Sequence, residues 1–304
     1  MAKVLMALST FGEAGQESRE LLEASGHEIV YNPYGRRVKR EEIVELGSDC
    51  EGVLAGVEPY DEWVLGHMPD LRCISRAGVG TDAIDHAICA DRDIVIRNTP
   101  DVVIAPVAEL ALAMALDLSK RLTWHTERLK AKDWRKVTGR MIADSTVAVV
   151  GLGRIGRRVA ELFSAVGATV LGVDPYPDVA WAENVGVAIV TLVEALATAD
   201  VVTLHLTAED FLLGEPELGS MKSGAIILNL ARGKYVDEDA LYDAVSSGHL
   251  GGAGLDVFPD EPYAGKLCDL DNVVLTPHVA TLTRESRLQM EVECVSNLLE
   301  ELAR

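Results

Sequence analysis

Glycines at positions 151, 153 and 156 follow the β-branched run Thr146–Val150, and a helical pattern carried by Ile155, Val159, Leu162 and Phe163 leaves them. At that spacing, between a strand and a helix, the first helical amides and the positive end of the helix dipole face a pyrophosphate. Gly151 allows the tight turn, Gly153 lets backbone approach the phosphates, and Gly156 lets the helix pack close to the strand. The apolar run Ala168–Val173 then stops at Asp174, where a carboxylate can accept hydrogen bonds from both ribose hydroxyls. That carboxylate repels a ribose phosphate, and no arginine follows directly in Pro175, Tyr176 and Pro177, so the pattern favours NAD over NADP.

A second set of reactive side chains lies where strands are expected to end: His205, Arg232, Asp256 with Glu261, and His278. Ligands of open α/β sheets bind beyond the carboxyl ends of the strands. The Arg232 guanidinium, just before Gly233, can clamp a carboxylate with two parallel donors and polarise an adjacent carbonyl. The sequence leaves open a surface role for it, paired with Asp237, Glu238 and Asp239. A hydride moving between carbon centres requires a proton to move with it, and an imidazole near its ordinary pKa suits that task. His278 after Thr276 and Pro277, with Glu261 to charge it and fix its tautomer, forms a candidate acid/base pair. Spacing does not show that the two touch, and either could be structural.

These residues require parallel sheets to position them. Up to Arg97 the chain alternates strand and helix patterns: strands at Lys3–Ser9, Glu28–Tyr31, Gly52–Ala55, Cys73–Ser75 and Ile94–Arg97, with helices at Glu17–Ala24, Glu41–Leu46, Glu62–His67 and Asp82–Ala90. Ala105–Leu118 reads as a buried helix, too short to span a membrane. A polar segment with Trp124, His125 and Trp134 follows, for which a role in oligomerisation is expected. Beyond Asp174 the alternation resumes, with a capping box at Thr191–Glu194, and completes a six-stranded doubly wound unit. The last helix, Glu285–Leu302, has no place in that unit and is expected to return to the first domain. The expectation is an α/β protein of two Rossmann-like doubly wound parallel-sheet domains with an active-site cleft between them. Residues 1–98 and 284–304 would form a discontinuous substrate-binding domain, and 99–283 an NAD-binding domain.

The chain of 304 residues carries 48 acidic and 28 basic side chains, for a net charge of −20, which argues against nucleic acid or an anionic membrane as partner. The five cysteines are far apart and show no CxxC pairing, so they read as buried or half-buried free thiols of a reducing, cytoplasmic setting. The seven histidines show no metal-ligand spacing, and no metal is expected. His27 reads as a solvated turn residue.

Taken in order, Arg76–Asp82, the glycine turn, Asn229–Gly233, Leu255–Pro262 and Thr276–His278 resemble the D-isomer-specific 2-hydroxyacid dehydrogenases over essentially the whole chain. Asn32–Arg37 and Asn98–Asp101 are most similar to the short phosphoglycerate dehydrogenase-like branch. The resemblance implies that Arg232 binds the substrate carboxylate, that His278 is the general acid/base and that Glu261 orients it. Backbone amides of Ala77, Gly78, Val79 and Gly80 would hold the carboxylate, with Arg76 nearby. Arg154, Ile155, Asp174, His205, Thr207 and Ala231 would line NAD, and Asp256 would lie near the nicotinamide carboxamide. A homodimer through the nucleotide domain is also implied, as is oxidation of a D-2-hydroxy acid such as 3-phosphoglycerate. Two departures stand out: Leu206–Asp210 replaces the family's proline and threonine-rich loop, and Gly56 stands where some members carry a phosphate-binding arginine. Arg76, Arg36 and Arg37 remain for a second anionic group, although the Arg36–Arg37 pair also reads as a solvated turn. An NAD(H)-sensing dimeric protein and a dehydrogenase of a hydroxyalkylphosphonate are the alternatives.

Overall fold

The computed structural model describes residues 1–304 and divides into two compact units, Met1–Val103 with Leu282–Arg304, and Ile104–Thr281. The first contains five parallel strands: β1 (Lys3–Met6), β2 (Glu28–Tyr31), β3 (Gly52–Ala55), β4 (Cys73–Arg76) and β5 (Val95–Arg97), ordered β2-β1-β3-β4-β5. Val53, Leu54 and Ala55 of β3 are fully buried, as expected for a parallel strand covered on both faces. The helices between these strands are α1 (Glu17–Ala24), α2 (Arg40–Gly47), α3 (Glu62–Gly66) and α4 (His86–Asp91). The sequence places the start of α4 at Asp82, but the helix begins at His86. Asp85 accepts the Ile88 N–H at 3.0 Å as its N-cap, while Ile84 turns back to the Thr81 carbonyl.

The second unit has seven parallel strands rather than the six expected, because two short edge strands both pair. These strands are β6 (Thr146–Val150), β7 (Thr169–Val173), β8 (Ala188–Ile189), β9 (Val201–Leu204), β10 (Ile226–Asn229), β11 (Gly252–Leu255) and β12 (Val273–Leu275). Their order, β12-β11-β10-β9-β6-β7-β8, reverses direction at β6, which is the position of a ligand crevice in such sheets. Its helices are α5 (Ile104–Lys120), α6 (Leu122–Lys130), α7 (Arg154–Ala165), α8 (Val179–Val185), α9 (Leu192–Thr198), α10 (Glu215–Ser220) and α11 (Glu238–Ser246). α5 buries Ala108, Ala111, Met114 and Ala115 against α7, β10 and β11. The small alanines let helix and sheet approach closely. α6 covers the start of the segment expected to be polar, and it has no buried residue.

The closing helix, α12 (Arg284–Leu302), packs on β3, β4, β5 and α1 of the first unit. Its fully buried Glu291 accepts the Gly12 N–H and the Ser18 hydroxyl, each at 2.9 Å, and Arg287 lies 3.4 Å away. Four cysteines are buried free thiols as expected, but Cys268 is exposed, because it lies in a short turn outside the sheet. No helix is long and apolar enough to cross a membrane.

Glu58, just past β3, is 3% exposed, and its carboxylate accepts the Gly56 N–H at 2.7 Å. Burial raises its pKa against the opposing pull of backbone hydrogen bonds and the charges of Arg37 and Arg76. A carboxyl raised in the fold contributes stability below its unfolded pKa and loses it as pH rises through the folded value. Glu58→Gln keeps the acceptor and removes the titration. Its melting temperature relative to the parent should therefore climb as pH is raised from about 4 to about 8. A difference that stays constant or shrinks would contradict this assignment.

Candidate active site

The glycine turn has the geometry a dinucleotide requires. Gly151 leaves β6 at φ +93°, and a Cβ there would sit 2.5 Å from the His205 carbonyl oxygen. A Cβ at Gly156 would lie 1.8 Å from the Gly151 carbonyl, so α7 reaches its position only with glycine. Gly153, the N-cap of α7, has no capping side chain, and a Cβ there would meet nothing within 4 Å. The approach to the first-turn amides is therefore open, which fits a pyrophosphate. Arg154 is exposed and Ile155 half-buried beside it. Asp174 accepts the Leu152 N–H and the Tyr176 N–H, each at 2.8 Å, through different oxygens. The remaining lone pairs stay available to ribose hydroxyls. These residues fit NAD: the 151–156 turn would hold the diphosphate and Asp174 the ribose.

His205 follows β9. Its Nε2 meets the Thr203 hydroxyl at 2.8 Å, its Nδ1 is buried without a partner, and burial lowers its pKa to about 3. The ring is therefore neutral at physiological pH and unsuited to proton exchange there. Thr207, two residues on, is exposed.

Arg232 follows β10 on a loop clasped by a residue that sequence reasoning passed over. Asn229, 1% exposed, accepts the Ala231 N–H at 3.1 Å and donates to the Arg232 carbonyl at 2.9 Å. A polar side chain ending an otherwise apolar strand was the available signal. The Arg232 guanidinium donates to the Ala231 carbonyl at 2.8 Å. Of the acids that follow, Asp237 caps α11 through the Ala240 N–H, Glu238 accepts the Tyr263 hydroxyl, and Asp239 pairs with Lys266.

The fold brings Glu261 and His278 together. His278 Nδ1 lies 3.0 Å from one Glu261 carboxylate oxygen and 3.2 Å from the other. An ionised carboxylate only accepts, so Nδ1 carries the proton and Nε2 is left for exchange. Glu261 is itself held by the Phe258 N–H at 3.1 Å. Asp256, 1% exposed beyond β11, accepts the Thr276 hydroxyl at 2.6 Å and the Val279 and Ala280 N–H groups at 2.8 and 2.9 Å. Beside the pair opens a cavity of about 380 Å³ lined by Phe258, Tyr263, Cys268, Leu275 and Pro277.

In the first unit, the loop after β4 is held by Thr99, whose hydroxyl accepts the Gly78 N–H at 2.8 Å, and by Asn98, which donates to the Val79 carbonyl at 2.9 Å. Gly78 adopts φ +134°, which a side chain would strain, and the Arg76 guanidinium lies over it. Arg76 donates to the Ala77 carbonyl at 2.5 Å; Ala77 is buried, Val79 exposed and Gly80 half-buried. Arg36 is forked onto Glu42, and Arg37 donates to the Val57 carbonyl. His27 accepts the Ala2 N–H at 3.0 Å instead of standing free in a turn.

Residues 112–280 match the family model described as the NAD-binding domain of D-isomer specific 2-hydroxyacid dehydrogenases. The chain is 36% identical over 261 residues to a D-3-phosphoglycerate dehydrogenase of Archaeoglobus fulgidus, covering 83% of this chain and 50% of that one. It spans about half the length of the curated phosphoglycerate dehydrogenases it matches. It is also 34% identical over 269 residues to a glyoxylate reductase of Korarchaeum cryptofilum, covering 84% of this chain and 81% of that one. A D-lactate dehydrogenase of Aquifex aeolicus, solved with NAD and lactic acid, superposes with a TM-score of 0.84 at 30% identity, covering 99% of this chain and 97% of that one. With its dinucleotide turn and two parallel sheets, the chain belongs to the D-isomer specific 2-hydroxyacid dehydrogenase family and carries that family's NAD-binding domain.

Proposed function

We propose that this protein is an NAD-dependent oxidoreductase that interconverts a D-2-hydroxy acid and its 2-oxo acid. The observation that carries this reading is the Glu261–His278 contact at 3.0 Å, which leaves Nε2 as the exchangeable position on the imidazole. In the reducing direction NADH, held by the 151–156 turn and Asp174, would supply a hydride to the carbonyl carbon. His278 gives its Nε2 proton to the carbonyl oxygen, and Glu261 stabilises the imidazolium before transfer and fixes the ring afterwards. Arg232 clamps the substrate carboxylate through two parallel donors. In this reading the amides of Val79 and Gly80 also bind that carboxylate, since the Ala77 N–H already meets the Ala55 carbonyl and the Gly78 N–H meets Thr99, and Ala231, His205 and Thr207 line the cofactor.

The relatives suggest the range of acids. Glyoxylate and lactate are named for two of them and 3-phosphoglycerate for others. A phosphorylated acid would call on Arg76, since Gly56 offers no side chain and buried Glu58 stands beside it. The reading includes a cytoplasmic homodimer formed through the nucleotide domain. Exposed Leu122, Leu129, Trp134 and Met141 on and after α6 support the dimer, and the unpaired thiols support a reducing compartment.

NADH oxidation should be followed with glyoxylate, pyruvate, hydroxypyruvate, 3-phosphohydroxypyruvate and a phosphonate analogue. Turnover of at least one 2-oxo acid is expected. NADH binding with every acid inert would sink the reading and favour a sensing role, while turnover of the phosphonate alone would favour the other alternative. His278→Ala should slow turnover by roughly two to four orders of magnitude while the NADH dissociation constant stays within a few-fold. Unchanged turnover would remove His278 from the mechanism.

A further inference from the structure

No arginine directly follows Asp174 in the chain, yet the fold brings one beside it. Arg157, in the first turn of α7, reaches back to the glycine turn, where its Nε donates to the Leu152 carbonyl at 3.0 Å. The N–H of the same residue, Leu152, donates to Asp174 at 2.8 Å. A cation and the carboxylate assigned to the ribose are therefore anchored on the carbonyl and the amide of one residue. Arg157 is held on two more sides. Its Nη1 lies 3.1 Å from Asp178, and its guanidinium lies over the Trp181 ring, 5.0 Å from the centroid. Asp178 is itself fixed, because its other oxygen accepts the Trp181 N–H at 3.1 Å as the N-cap of α8. That hydrogen bond and the Arg157 charge keep its carboxyl below the ordinary aspartate range, so it is ionised near neutral pH.

A guanidinium beside the ribose is the group that a ribose 2′-phosphate would seek, since its fork of donors matches phosphate oxygens. We infer that Asp178 is the positioning residue that denies Arg157 this use: with Trp181 it holds the guanidinium away from the ribose 2′ position, so that NADP is rejected both by repulsion from Asp174 and by capture of the cation that would compensate it. The inference rests on the reading of the 151–156 turn as an NAD site and is independent of which acid is reduced. The Arg157 and Asp178 side chains are 36% and 45% exposed, where an ion pair adds little to stability. Its main consequence is therefore the place in which the guanidinium is kept. The bond from Nε to the Leu152 carbonyl acts as a hinge: loss of the Asp178 charge would let the terminal nitrogens turn toward the ribose while α7 stays in place.

Three variants separate the two barriers: Asp174→Ser, Asp174→Ser with Asp178→Asn, and both of these with Arg157→Gln. Asparagine keeps an oxygen for the Trp181 N–H and removes the charge. Dissociation constants for NADPH and NADH, read by nucleotide fluorescence, require no substrate. Asp174→Ser should lower the NADPH constant by removing the repulsion. Adding Asp178→Asn should lower it by a further factor of about 10, as one charged hydrogen bond to a phosphate contributes, while the NADH constant stays within about three-fold of its Asp174→Ser value. Arg157→Gln should cancel that further gain. Trp181→Leu in the Asp174→Ser background should tighten NADPH by about three-fold, as loss of an exposed cation–π contact implies. No further gain from Asp178→Asn, or an equal gain for NADH, would overturn the assignment. A gain that survives Arg157→Gln would also overturn it and point to Arg154 at the start of α7. A parent that fails to bind NADH would sink the dinucleotide reading and this assignment together, whereas inertness toward every 2-oxo acid bears on the proposed reaction alone.

Discussion

Every strand that ends at the carboxyl edge of a parallel sheet releases backbone amides and carbonyls that need partners once buried. In the second unit those partners are side chains placed at the strand exits. Asp174 after β7 takes the amides of Leu152 and Tyr176. Asn229 at the end of β10 takes the Ala231 amide and gives to the Arg232 carbonyl, and Asp256 after β11 takes the amides of Val279 and Ala280. Each satisfies a debt left by the sheet, and in doing so shapes a loop that carries a cofactor-binding or reactive residue. Polar groups at this edge are costly if left unpaired, so the hydrogen bonds that satisfy the fold also define the site.

The fold was legible in the sequence where local signals are strong. The glycine spacing, the acid ending the next strand and the alternation of apolar runs all follow from steric and hydrogen-bonding rules that act within some thirty residues. The two short edge strands, β8 and β12, are each marked by an apolar run, and together they take the sheet one strand beyond the expected six. The helix expected from Asp82 begins four residues later at His86, because the Ile84 N–H turns back to the Thr81 carbonyl and Asp85 caps the first turn. The helix α6 was missed because it buries no apolar face, which removes the periodic signal.

At the site, residue types pointed to His278, Glu261 and Arg232, but their dependence on Asn229 and Thr276 was not visible. The Asp256 carboxylate meets donors 20 to 24 positions away, across a loop whose path no pattern reveals. The duties of the acids that follow Arg232 were equally hidden: Asp237 caps a helix, Glu238 accepts a tyrosine hydroxyl and Asp239 pairs with a lysine. Charge told the same story more coarsely: in a chain of net charge −20, an anion must be drawn in by a few placed cations and amides.

In the proposed reaction hydride passes to the carbonyl carbon of a 2-oxo acid, with the proton coming from His278. Its most direct test is reduction of a 2-oxo acid with NADH deuterated at the transferring position of the nicotinamide, followed by analysis of the isolated product. The account predicts one deuterium at C2 of a D-2-hydroxy acid. Product without deuterium at that carbon, or deuterium found at C2 in the L configuration, would contradict it.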